Sequence, residues 1–134
     1  MFGFVQERML VVTNERVYNI KKTTVKRIIQ IKTLGGISKC TAAGKNEFTL
    51  HVPSEYDYRF HSDKRDDVID ILKLRYLEMK RENLPIFGIN KSTLKDYTTT
   101  EKDMKKGQTR YPSPSLRLRE EDLIKEDAST ASSN

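Results

Sequence analysis

"TLGGISKCTAAGKNEFTLHV", residues 33 to 52, decides how this chain is read. Its glycines and lysine suggest a phosphate loop, but a Walker loop needs a glycine five residues before the one that precedes the lysine, and a Ser or Thr after that lysine to hold magnesium. Lys39 and Asn46 stand at those places. The stretch instead reads as two strands and a turn. "GISKC" is one strand, and "EFTLHV" is another in which Phe48, Leu50 and Val52 alternate inward while Thr49 and His51 face out. Gly44 serves the turn between them.

The same two-residue period extends to both sides. "RMLVVTNERVYNIKK" gives strands over Met9 to Val12 and Val17 to Ile20, joined around Asn14, a residue type that tolerates the left-handed backbone of tight turns. "VKRIIQI" is a third strand, and "YDYRF" repeats the alternation with Tyr56, Tyr58 and Phe60 on one face. Short strands at this spacing predict an antiparallel sheet or barrel. The period then changes to 3.6, because Val68, Ile69, Leu72, Tyr76 and Met79 fall on one side of a helix from about Asp63 to Glu82. Ser62 or Asp63 is its expected N-cap, with Asp66 and Asp67 favoured by the helix dipole. Pro85 stops the helix, and Leu84, Ile86, Phe87 and Ile89 form an apolar clasp on the barrel.

From Asn90 the pattern dissolves. Apolar residues there are too sparse to offset the entropy of ordering the segment alone, so residues 90–134 are expected to be an extended or disordered tail behind a domain of residues 1–89. Tyr97, Tyr111, Leu116, Leu118, Leu123 and Ile124 are its spaced anchors for a protein partner, and Ser113, before Pro114, is a candidate phosphosite for a proline-directed kinase.

Charge narrows the function. Residues 1 to 50 carry nine Lys or Arg against three Glu, whereas residues 51 to 83 carry seven against eight and the remainder nine against eight. The whole excess of the +6 chain is therefore in its first part, a field that attracts lipid or nucleic-acid phosphates or an acidic protein face. The basic part holds few aromatics to stack on bases, which argues against nucleic acid. No stretch approaches the ~20 apolar residues of a membrane span, and the start lacks the pattern of a signal peptide. The single Cys40 suits a reducing, intracellular setting.

No enzyme chemistry emerges. His51 and His61 are the only histidines, without HExxH or paired cysteines, and read as strand or cap residues. Asp63, Asp66, Asp67 and Asp70 lack the alternating ligands and central Gly of an EF-hand loop, and suit a solvated helix start. No metal or other cofactor is expected.

"MLVVTNERVYNI", "VKRIIQIKTLGGISKC" and "EFTLHV" before a closing helix resemble the tail homology 1 domain of class I myosins, in which a "VK..I....L.GIS" run precedes an "F.LHV" strand. "YDYRF" followed by "LPIFGI" is also similar to such domains in the tails of protist protein kinases. The resemblance covers Phe4 to Tyr76. It implies a pleckstrin-like fold, α+β and mainly β, an antiparallel barrel or sandwich capped by one C-terminal helix. It also implies binding to anionic phosphoinositide headgroups. The family's Arg at the start of the second strand corresponds to Arg8; its partner Lys has no match, since Phe4-Val5-Gln6 stands there, and the basic loop that follows is absent. With Arg8, the residues Lys21, Lys22, Lys26 and Arg27 make the expected anion-binding set. A peripheral, cytoplasmic module bound weakly to membrane is the first expectation. A protein-docking adaptor of a cytoskeletal, ciliary or other large assembly, with the tail as its binding segment, is the second.

Overall fold

A computed structural model describes residues 7–119. Among the described residues seven strands form two sheets and are accompanied by two α-helices, an α+β arrangement that is mainly β. The strands β1 (Met9–Val12), β2 (Arg16–Lys21) and β3 (Thr24–Gln30) make one antiparallel sheet in the order β1-β2-β3. The turn into β2 is held by Thr13, whose hydroxyl accepts from the Arg16 amide at 3.0 Å. Asn14 does not take the left-handed backbone expected of it. Lys22, in the β2–β3 turn, does, with φ 57°.

The decisive stretch folds as read: β4 (Gly36–Cys40) pairs antiparallel with β5 (Glu47–His51), and β6 (Tyr58–His61) adds to β5. Helix α1 (Arg65–Lys80) follows, ending where Arg81 turns left-handed at φ 58°. Its N-cap position is Lys64; Ser62 contributes by accepting the Lys64 amide, and Asp63 accepts from Asn46 instead. The apolar clasp is a strand, β7 (Ile86–Ile89), which lies parallel to β4 and completes a sheet of order β6-β5-β4-β7. Parallel neighbours need a long crossover, here supplied by β5, β6 and α1.

The two sheets do not close into a barrel. The backbone passes from β3 to β4 through a 3-10 turn, Ile31–Thr33, whose fully buried Ile31 joins the core between the layers. Val17 and Ile29 from the first sheet meet Ile37, Phe48, Leu50 and Val52 from the second, and α1 inserts Ile69, Leu72 and Tyr76 with Val68 and Met79 at its margin. That is the helix face read from the 3.6 period. Burying side chains of this kind contributes about 1.5–3 kcal/mol each.

Beyond Asn90, where an extended or disordered tail is expected, residues 90–119 form a strap across the outer face of the second sheet. A 3-10 turn (Lys95–Tyr97), helix α2 (Glu101–Lys105) and a further 3-10 turn (Pro114–Leu116) lie along it, and Arg117 bridges to Phe87. Leu94 is fully buried and joins Cys40, Phe87 and Ile89 in a second apolar cluster. The strap needs no core of its own, because β5 offers it polar partners in Glu47 and Thr49 while Cys40, Phe87 and Ile89 offer an apolar seat.

Candidate functional site

Two of the expected anion-binding residues, Lys26 and Arg27, meet at one end of the sandwich, and Arg8 is near enough to act on it electrostatically. Alternation aims Asn19 inward from β2, opposite Arg27 on β3. At that point the register slips between Asn19 and Ile20, so that Lys26 is an extra residue on β3. A bulge re-aims its side chain. Lys26 thus lines the same shallow groove as Arg27 and Asn19, with Tyr56, Tyr58 and Arg59 on the opposing side, around about 250 Å³. Arg8 also acts on this mouth. Burial pushes the Tyr58 phenol above its usual range, while the Arg8 and Arg27 guanidinium groups oppose that rise.

Arg27 is largely consumed by the fold. Its guanidinium donates to the Tyr56 carbonyl and, at 3.3 Å, to the Asp57 carbonyl; it lies 3.8 Å above the Tyr56 ring and 3.8 Å from the Glu55 carboxylate. A cation so engaged positions the β5–β6 connection more than it receives a ligand. Lys21 and Lys22 do not reach the mouth. They stand exposed at the tip of the β2–β3 hairpin, with Lys26 next along it. Asn19, Tyr56 and Tyr58 were not among the residues singled out for this site. Their strand alternation was legible, but the bulge that gathers them with Lys26 leaves no local signal.

A second constellation, on the opposite layer, has the form of a nucleophile, base and acid. Ser38 Oγ lies 2.7 Å from His51 Nε2, and His51 Nδ1 lies 2.9 Å from Asp57 Oδ2. In the tautomer that satisfies both, Nδ1–H donates to the carboxylate and Nε2 accepts the serine hydroxyl. Ser38 and His51 are both 0% exposed, roofed by Phe87 and Tyr111, whose rings stand edge-on to the imidazole at 6.2 and 5.1 Å. A substrate has no route to that hydroxyl in this conformation. The chain of bonds instead fastens the strap: Asp57 accepts from the amides of Val52 and Thr99, both at 2.9 Å, and its own amide donates to the Thr99 carbonyl. His51 therefore faces out of the sandwich as read, yet is covered.

Further ties run the strap's length. Thr98 Oγ1 meets Thr49 Oγ1 at 2.8 Å, the Leu94 amide donates to Glu47, and the Leu118 amide donates to the Ile86 carbonyl at 2.7 Å. A capping box joins Thr100 and Asp103 at the start of α2. The Arg110 guanidinium, hydrogen-bonded to Asp103 at 2.9 Å, is the main reason that carboxyl falls to about 2. Tyr97 and Leu116 pack on the second apolar cluster, Leu118 packs on the main core, and Tyr111 donates to the Gly35 carbonyl. These four residues, expected as partner-binding anchors, are thus in contact with their own chain, Tyr111 remaining 42% exposed. Leu123 and Ile124 lie outside the described residues. Ser113 is exposed, its hydroxyl accepting the Ser115 amide ahead of the Pro114–Leu116 turn.

The glycine pair is explained by the same covering. A Cβ on Gly35 would stand 2.7 Å from the Pro53 ring, and one on Gly36, at φ 150°, would press on Phe87 and the Pro85 carbonyl. The pair admits close packing of loop and strap. Among the described residues no group of three or more His, Cys, Asp or Glu is placed to hold a metal ion, and no helix is long and apolar enough to cross a membrane. Burial, with a smaller contribution from Glu47, raises the pKa of the Cys40 thiol. No protein-family model and no curated protein matches the chain.

Proposed function

We propose that this chain is a non-enzymatic docking module of pleckstrin-like type that holds anionic, phosphoinositide-bearing membrane through the β2–β3 hairpin and the adjoining mouth. One observation carries the reading: β1, β2 and β3 together contain Arg16, Lys21, Lys26 and Arg27 and not one Asp or Glu. With Lys22 in the turn, the hairpin presents cations that have no acidic neighbour within the sheet. The order of strands followed by α1 supports the pleckstrin-like part, while β7 and the strap are additions to that plan. Because Arg27 is held by two carbonyls, the mouth is a poor cage for one headgroup, and the reading is of diffuse, weakly selective attraction. Each basic residue near an anionic surface contributes about 1 kcal/mol, and salt screens it.

Co-sedimentation with phosphoinositide vesicles tests this. Replacing Lys21, Lys22 and Lys26 by Ala should weaken binding at low salt by about two orders of magnitude, the sum of three such terms. Undiminished binding by the triple variant would refute the hairpin mechanism.

Protein docking is the second reading, now supported by α1 instead of the strap. Ile71, Leu74 and Leu77 recur at three-residue spacing along the helix and remain exposed, opposite the buried face. A stripe at this spacing suits a partner helix in a cytoskeletal, ciliary or other assembly.

A further inference from the structure

The two sheets differ in what covers their outer faces. The strap lies over the second, whereas the outer face of the first is left largely exposed, with Ser54 and Glu55 beside Ile28 and Arg16 at one edge. Register places six apolar side chains on that face in two rows across the strands. Met9, Ile20 and Val25 are cross-strand neighbours in one row, and Val11, Tyr18 and Ile28 in the next. Met9 is 54% exposed, Val25 48% and Ile28 47%, the three most exposed large apolar residues of the sheet. The register slip accounts for the grouping: it turns Lys26 toward the mouth and leaves Val25 and Ile28 together on the outer side. Lys21 and Lys22 bound the rows at the hairpin tip, and Arg16, beside Tyr18, bounds them at the other end.

A contiguous exposed apolar patch marks a surface that meets something. Its charge complement at the hairpin tip is anionic, since Lys21 and Lys22 stand there and no carboxylate lies within the three strands; Glu15 and Glu55 stand at the opposite end, beside Arg16. Aliphatic rows bordered by lysines are the pattern of an element lying in a membrane interface, with methylenes below and ammonium groups at headgroup level. Resting on the membrane reading above, we infer that the outer face of the β1-β2-β3 sheet seats in the interface of an anionic bilayer, with Val25 and Ile28 entering the acyl boundary and Lys21 and Lys22 at the headgroups. Binding then has two separable parts, one salt-sensitive and cationic, the other salt-resistant and apolar.

The chain has no tryptophan, so a single introduced one reports on its own surroundings. The full chain carrying Ile28→Trp is mixed with vesicles of phosphatidylcholine and phosphatidylserine whose acyl chains are brominated, and Leu74→Trp on α1 serves as the comparison. The Ile28→Trp emission should shift to the blue and be quenched, and that of Leu74→Trp should not. In parallel, Val25→Ser with Ile28→Ser should leave the melting temperature nearly unchanged and weaken the high-salt fraction of vesicle binding about tenfold. Vesicle binding without quenching at position 28, or full high-salt binding by the double serine variant, overturns the inference and leaves the cationic reading standing. No vesicle binding by the unaltered chain at low salt overturns both. A dimer in sedimentation that the double serine variant dissociates, with vesicle binding unchanged, assigns the face to a second copy of the chain and likewise overturns it.

Discussion

Asp57→Ala is the most informative single change in this molecule. The carboxylate accepts three hydrogen bonds, from His51 Nδ1, the Val52 amide and the Thr99 amide, each at 2.9 Å, in a position that is 8% exposed. Removing it orphans three buried donors that water reaches poorly. At about 1–3 kcal/mol for each unsatisfied buried group, and allowing for partial relaxation, the loss is about 3–5 kcal/mol. That is a large share of the ~5–15 kcal/mol that holds a domain of this kind together. The damage should be local first, because of the three bonds to this carboxylate only the one from Thr99 reaches the strap. Native-state hydrogen exchange separates the two levels. In the unaltered protein the Leu94, Thr99 and Leu118 amides should be protected; in Asp57→Ala they should exchange far faster while Ile29 and Leu50 keep most of their protection. A drop below about 1 kcal/mol in denaturant, with Thr99 still protected, would refute the claim that this carboxylate fastens the strap.

Other consequences follow from individual positions. Leu72→Ala, at a fully buried position on α1, should cost about 2–5 kcal/mol in urea unfolding. Arg81→Gly should add about 0.5–1 kcal/mol in the same assay, since glycine takes the left-handed backbone at the end of α1 without the Cβ clash. Asp103 is held at about 2, below an unfolded carboxyl near 3.9, so the stabilisation it gives is complete above roughly pH 4 and is lost as pH falls toward 2. The difference in melting temperature between the unaltered protein and Asp103→Asn should accordingly be present at pH 5 and shrink through that window.

Periodicity marked most of the sandwich's strands and its long helix, though not β7, which it left as an apolar clasp. Alternation in "EFTLHV" and the 3.6 spacing of Ile69, Leu72 and Tyr76 are local records of which side chains face a core, and the structure buries those faces; in "YDYRF" Tyr58 and Phe60 pack half-buried on the core while Asp57, read as outward, is buried under the strap. The basic hairpin was legible for the same reason, as contiguous sequence. What the sequence left open depends on partners distant along the chain. Residues 90–119 are too sparse in apolar groups to form a core by themselves, and distant groups give them a place to bind: Thr49, Glu47 and Asp57 through hydrogen bonds, and Cys40, Phe87 and Ile89 as an apolar seat. Arg27 looked equivalent to Lys26 in sequence, but packing brings the Tyr56 and Asp57 carbonyls to its guanidinium and leaves Lys26 exposed. A one-residue slip between β2 and β3 separates the basic mouth from the apolar outer face. Hydrogen-bond register is a relation between two strands, and neither strand's own sequence records it.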